Sequence, residues 1–154
     1  MELKTKINAE EGKHDILITR EFDLPVDLLF RAHTEAEFLA QWMGTTVLKL
    51  ESKKHGSYEY ETKDAQGNVV FKSHGTFHDI IPNQKIVRTF EMEGGPFGVL
   101  LEFNQFESLT PTTSKLTIHC VYESGEKRDE LLKMPFAQGI NYAHNRLEEA
   151  LKNK

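Results

Sequence analysis

His74 and His78 stand four residues apart, the separation at which two imidazoles on one helical face share a metal ion. Their surroundings, "NVVFKSHGTFHDI" at 68–80, alternate like a strand, and four strand residues span about 13 Å. The pair can share a face but not a zinc ion. The chain has no C-x-x-C or H-E-x-x-H, and its one cysteine, Cys120, has only His119 beside it, on the opposite face of a strand. Neither a metal nor a cofactor is expected.

Nucleophilic chemistry finds no better footing. There is no G-x-S-x-G, and Cys120 shares a strand face with Leu116, Ile118 and Tyr122, the setting of a small buried filler. "EGGPFG" at 93–98 lacks the lysine and following helix of a phosphate loop. It reads as a hairpin turn, and its glycines make it a candidate lid. Glu59 and Glu61 alternate with Tyr58 and Tyr60, as in a strand with one wet face. Glu91, Glu93, Glu148 and Glu149 fall at edges or on a polar helix face, and no acid/base pair stands out. Of the seven histidines, His144 is the most interesting. His144 lies four after Ile140 and three before Leu147, at the margin of an apolar stripe, so it faces either the interior or an ordinary backbone or strand partner.

The elements that must position these residues follow from periodicity. "HDILITREF" (14–22) is a strand with Ile16 and Ile18 on one face. "DLPVDLLFRAHT" carries proline in a first helical turn, with Leu28, Leu29 and Ala32 at helical spacing. "TEAEFLAQWMG" (34–44) opens on a Thr34–Glu37 capping box and stops at Gly44. Six strands follow, at 46–52, 56–64, 68–80, 84–93, 98–107 and 114–123, separated by turn residues, so consecutive strands are antiparallel neighbours. "SGEKRDELLKM" is a short helix ended by Pro135. "FAQGINYAHNRLEEALKNK" then aligns Phe136, Ile140, Ala143, Leu147, Ala150 and Leu151 on one stripe. Residues 1–13 read as a polar lead-in.

The order β-αα-β6-α is α+β. A curved antiparallel sheet must cover its apolar face, and the C-terminal helix is the element long enough to do so. The space between them is the candidate site. Trp42, Tyr58, Phe71, Phe77, Phe90, Phe103 and Tyr142 are aromatics that either line it or simply pack the core. Ile140 joins them from the helix, and Arg88, His74, His119 and His144 could add polar contacts.

Composition limits the partners. The chain has 154 residues, 38% hydrophobic and 28% charged, and a net charge of −5 with pI near 5.8. Its lysines are scattered among acids, which argues against nucleic acid. No apolar run nears the roughly 20 residues that span a bilayer, and the charged N-terminus lacks a secretory apolar core. A cytoplasmic protein, monomeric or weakly dimeric, is expected.

"ITREFDLPVDLLFRAHTEAEFLAQWMG" resembles the N-terminal signature of the activator of 90-kDa heat-shock-protein ATPase homologue family. The matching residues are Arg20-Glu21-Phe22, Pro25, Phe30, Ala32, Thr34, Leu39, Gln41-Trp42 and Gly44. "GTFHDIIPNQKIVRTF" and "MPFAQGINYAHNRLEEAL" are similar to its strand–turn–strand and terminal helix. The family belongs to the START-like, or SRPBCC, superfamily. The resemblance therefore implies a helix-grip, birch-pollen-allergen-like fold over residues 1–154, with a hydrophobic cavity. Met43 stands where relatives carry a second tryptophan, Lys54-His55-Gly56 where a Gly-Gly turn is usual, and Ile140 and His144 where tryptophan and leucine are usual. These departures surround the expected cavity.

The leading expectation is a non-enzymatic protein that binds a small apolar or aromatic molecule between the C-terminal helix and the sheet. The alternatives are a cyclase- or hydrolase-type enzyme using the cavity's polar groups, and a protein-interaction or chaperone-accessory module.

Overall fold

The computed structural model describes residues 3–152. Eight strands form one antiparallel sheet: β1 (Lys6–Asn8), β2 (Asp15–Phe22), β3 (Thr46–Leu50), β4 (Ser57–Lys63), β5 (Val69–Ile81), β6 (Lys85–Met92), β7 (Val99–Thr110) and β8 (Thr113–Val121). Their spatial order is β1-β2-β8-β7-β6-β5-β4-β3. Helices α1 (Val26–Thr34) and α2 (Ala36–Met43) carry the chain from β2 across to the far edge at β3. After β8 come α3 (Gly125–Leu132) and α4 (Phe136–Lys152). This is the helix-grip arrangement. No helix among the described residues is long and apolar enough to cross a membrane.

Alternation decides the core. On β2, Ile16, Ile18, Arg20 and Phe22 are buried, and on β8 so are Ser114, Leu116, Ile118 and Cys120. β2 and β8 pair in register, Ile16 with Cys120 and Ile18 with Ile118. Irregular register at Thr62/Lys63 and Phe77/Asp79 marks bulges, which bend a sheet and let it curl. Gly75 sits at one close approach. A Cβ there would lie 2.0 Å from the Thr89 carbonyl oxygen, and the Tyr58 hydroxyl passes over it to donate to that same oxygen at 2.5 Å.

Two readings of the sequence need correction. The lead-in is not merely polar: Lys6–Asn8 pairs with Leu17–Thr19 as an extra edge strand. The expected Thr34–Glu37 capping box does not form. Thr34 remains in the last turn of α1, where its hydroxyl donates to the Phe30 carbonyl at 3.3 Å. Glu35 takes the N-cap position of α2 without a side-chain cap bond and accepts instead from Arg31 at 2.6 Å. Gly44 does end α2, left-handed at φ 64°, and Ser124 caps α3 by accepting from the Lys127 amide.

Arg20 locates α4 over the sheet. Its side chain is fully buried, within 3.7 Å of Glu148. Nη1 donates to Asn145 Oδ1 at 2.8 Å and to Thr5 Oγ1 at 3.3 Å. Its guanidinium stands 5.0 Å from the Phe22 ring centre. One side chain thus ties the segment before β1, β2 and α4 together. Burial lowers its pKa, opposed by Glu148. Along α4, Leu147 and Leu151 are fully buried, whereas Phe136, Ile140 and Ala143 are only partly covered. The C-terminal half of the stripe fills the core; the N-terminal half roofs a space.

Candidate functional site

That space is a cavity of about 410 Å³ between α4 and the concave face of the sheet, within the size range of small-molecule sites. Phe136, Ile140, Ala143 and His144 form its α4 side. Trp42 and Met43 close the α2 end, and Ile18, Ile118 and Cys120 lie on the β2–β8 side. Phe90 and Met92 enter from β6, and Phe97 from the glycine-rich turn. The wall is mainly apolar because inward positions of adjacent strands are filled by apolar side chains. Trp42 is held in place by its indole N–H, which donates to the Ala32 carbonyl at 2.8 Å.

The exceptions are Arg88, Glu102, Asn104, His33 and His144. Arg88 and Glu102 are register partners on β6 and β7, and Arg88 Nε donates to Glu102 Oε1 at 2.8 Å. The guanidinium lies 4.8 Å from the Tyr58 ring centre and 5.9 Å from that of Phe90, cation–π distances. Burial disfavours its charge, but Glu102, Tyr58 and Tyr60 outweigh burial and hold the Arg88 pKa well above its ordinary value. Asn104, two residues further along β7, donates to the Ile86 carbonyl at 3.3 Å.

The two cavity histidines are both neutral at pH 7. His33 Nδ1 donates to the Leu29 carbonyl at 2.8 Å, which leaves Nε2 as an acceptor. Burial pushes the His33 pKa down to about 4, against the bond to Leu29 and with help from the Arg88 charge. Its ring meets Trp42 edge-on at 5.3 Å and Phe106 at 5.4 Å. His144 Nδ1 lies 2.9 Å from Thr5 Oγ1. The Thr5 hydroxyl also accepts from Arg20 Nη1 at 3.3 Å, and with one donor and two acceptor lone pairs it can pair with either tautomer of His144. Burial, followed by the His33 and Arg20 charges, pushes the His144 pKa down to about 3.

The structure thus brings together Trp42, Arg88, Phe90, Ile140 and His144 from the sequence candidates. Tyr58 and Phe77 are buried core residues that pack on each other at 5.1 Å, outside the cavity wall. Four others are displaced by strand parity or helix face. His74 faces outward beside Glu91 at 3.1 Å. His119 faces outward and bonds Asp15 at 2.7 Å, and Phe103 stacks on it from outside at 6.1 Å. Tyr142 is 64% exposed on the outer side of α4, with Arg146 over its ring at 5.9 Å. Phe71 has the inward parity but lies at the far end of β5 by a bulge and is 48% exposed.

His33 and Glu102 escape a reading by residue type. The signal for His33 is its place four after the buried Leu29. For Glu102 it is the inward parity shared with Leu100, Asn104 and Phe106, obscured because the other parity is apolar too. Among the described residues, no group of three or more His, Cys, Asp or Glu could hold a metal. Cys120 is buried, and burial pushes its thiol pKa well up.

Comparison with solved structures finds the same fold in several bacterial proteins. A crystal structure from Rhodobacter sphaeroides superposes with TM-score 0.86 at 17% identity, covering 97% of this chain and 99% of that one. A solution structure from Arthrobacter aurescens gives 0.85 at 18% identity, covering 97% and 92%. A crystal structure from Mycobacterium smegmatis gives 0.82 at 17% identity, covering 96% of each chain. No curated protein matches the chain. The family described as "Activator of Hsp90 ATPase homolog 1-like protein" matches residues 23–152.

Proposed function

The chain belongs to the Activator of Hsp90 ATPase homolog 1-like family, and from that premise we propose that it binds a small hydrophobic molecule between α4 and the sheet. The family is compatible with small-molecule or protein binding. The observation that carries the proposal is the apolar cavity of about 410 Å³, walled by Trp42, Phe90, Phe97 and Ile140 and holding a few fixed polar groups. That combination of apolar wall and sparse, oriented polar contacts is what captures small molecules.

Binding is favoured over proton-transfer catalysis by the polar groups themselves. Of the four residues expected to move protons, His74 and His119 are on the outer face, engaged with carboxylates. Arg88 stays charged, and His144, with a pKa near 3, is a weak base at neutral pH. Met43, Ile140 and His144, which stand where relatives carry other residues, all contribute to the cavity wall. They give the ligand of this chain its own shape requirement.

Trp42 is the single tryptophan and sits in the cavity wall, so its fluorescence reports occupancy. Titration with fatty acids, sterols and aromatic polyketides should change its intensity or emission maximum saturably for at least one class. A folded protein whose Trp42 emission and melting temperature respond to none of them would refute the proposal.

A further inference from the structure

We infer that the cavity selects an uncharged, mostly apolar molecule whose one polar end presents a hydrogen-bond acceptor and donor side by side, read by Arg88 and Glu102. The inference rests on the ligand-binding reading above and specifies its ligand class.

The Arg88–Glu102 pair uses only Nε and Oε1. Apart from the close electrostatic contact of the guanidinium with the Tyr60 hydroxyl, Arg88 Nη1 and Nη2 and Glu102 Oε2 have no protein hydrogen-bond partner among the described residues. They are not sealed off either: the sealed, unpartnered side-chain atoms are Arg20 Nη2 and Tyr60 Oη. Both residues line the cavity, with side chains only 19% and 14% exposed, so their spare donors and acceptor open onto it. The guanidinium cannot readily turn away, because Glu102, the Tyr58 face and Phe90 hold its plane. Asn104 and the free Nε2 of His33 stand in the same wall.

Charge sets the selection. The pair is neutral as a unit, so a ligand carboxylate would place a second anion beside Glu102 with one cation between them. A ligand ammonium would do the same to Arg88. Either leaves uncompensated charge in an apolar enclosure, which is costly. A wholly apolar ligand displaces water from Arg88 and Glu102 and returns no hydrogen bond. A neutral amide, or a hydroxyl next to a carbonyl, meets both requirements: its oxygen accepts from an Arg88 Nη, and its N–H or O–H donates to Glu102 Oε2. Two fused rings with such an end suit the volume.

The test is calorimetric titration of the full chain at neutral pH with three probes on one scaffold: 2-naphthamide, 2-naphthoate and 2-methylnaphthalene. The amide should bind about tenfold or more tighter than either other probe, the scale of one hydrogen bond to a charged group. In Glu102→Gln the naphthoate should gain about tenfold, because Arg88 is then without a counter-charge, while the amide weakens as its charged acceptor is lost, so that the naphthoate overtakes the amide. In the double variant Arg88→Met/Glu102→Leu, 2-methylnaphthalene should bind best. Equal affinity of the three probes, or tighter binding of the naphthoate by the unaltered chain, overturns this inference and leaves the ligand-binding reading standing. Failure of all three probes to bind the unaltered chain overturns this inference without any variant having to fold, and the ligand-binding reading falls with it only if fatty acids, sterols and aromatic polyketides also leave Trp42 emission unchanged.

Discussion

Acidifying the protein from about pH 7.5 to about pH 5 should weaken it through two cavity histidines, half-buried His33 and buried His144. Burial holds the folded-state pKa near 4 for His33 and near 3 for His144, against an ordinary value of 6.5. At pH 5 the folded chain therefore keeps both rings neutral, while the unfolded chain binds a proton at each. The unfolded state binds more protons, so stability rises with pH across the window from about 3 to 6.5 and falls as pH drops through it. From 6.5 to 5 is about 1.5 pH units at about 1.4 kcal/mol each, or about 2 kcal/mol per histidine and about 4 kcal/mol for both. This is a large share of the stability of an ordinary domain, about 5–15 kcal/mol. Urea unfolding followed by Trp42 fluorescence at the two pH values measures it, as a midpoint shift of about 2 M for a slope of about 2 kcal/mol per molar. In His144→Gln the loss should shrink to about 2 kcal/mol, and in the double His33→Gln/His144→Gln it should nearly vanish. A wild-type midpoint unchanged between the two pH values, or an undiminished loss in the double variant, would refute the burial reasoning.

Gly75→Ala should cost about 3 kcal/mol or more, because its Cβ would stand 2.0 Å from the Thr89 carbonyl oxygen; an unchanged urea midpoint would contradict this. Arg20→Met keeps the bulk but strips Asn145 and Thr5 of their donor, at about 2–4 kcal/mol. Amide exchange at Ile7 should then accelerate, and unaltered exchange there would show that Arg20 does not hold β1. Cys120 should react very slowly with an aromatic disulfide reagent in the native protein, since burial suppresses the thiolate. Rapid native-state labelling would contradict that burial.

Some of this was legible from local pattern. The alternation in "HDILITREF" put Ile16 and Ile18 inward, and the stripe on α4 identified Leu147 and Leu151, because both depend on periods that a short window contains. Gly44 announced the end of α2 through its tolerance of positive φ. The expected capping box failed for an equally local reason, since Thr34 bonds backward within α1. Around the cavity, local pattern was misleading. β7 is apolar at Val99, Leu101 and Phe103 on one parity and at Leu100 and Phe106 on the other. Residue type therefore favoured Phe103, while the inward parity belongs to Glu102 and Asn104.

Apart from the edge strand β1, the order of helices and strands, the antiparallel neighbours from β3 to β8 and the inward face of α4 were determined by the sequence alone, because each follows from short-range periodicity and turn chemistry. The pairing of β2 with β8, roughly a hundred residues apart, came only with the tertiary structure. So did the pairing of the segment before β1 with Arg20 and His144, and the meeting of Arg88 with Glu102. These depend on which strands become neighbours and on bulges that reset register, and no local window contains that information. The polar end of the cavity is a product of that register. A shift of one residue would turn Arg88 and Glu102 to solvent and bring Thr89 and Leu101 inward.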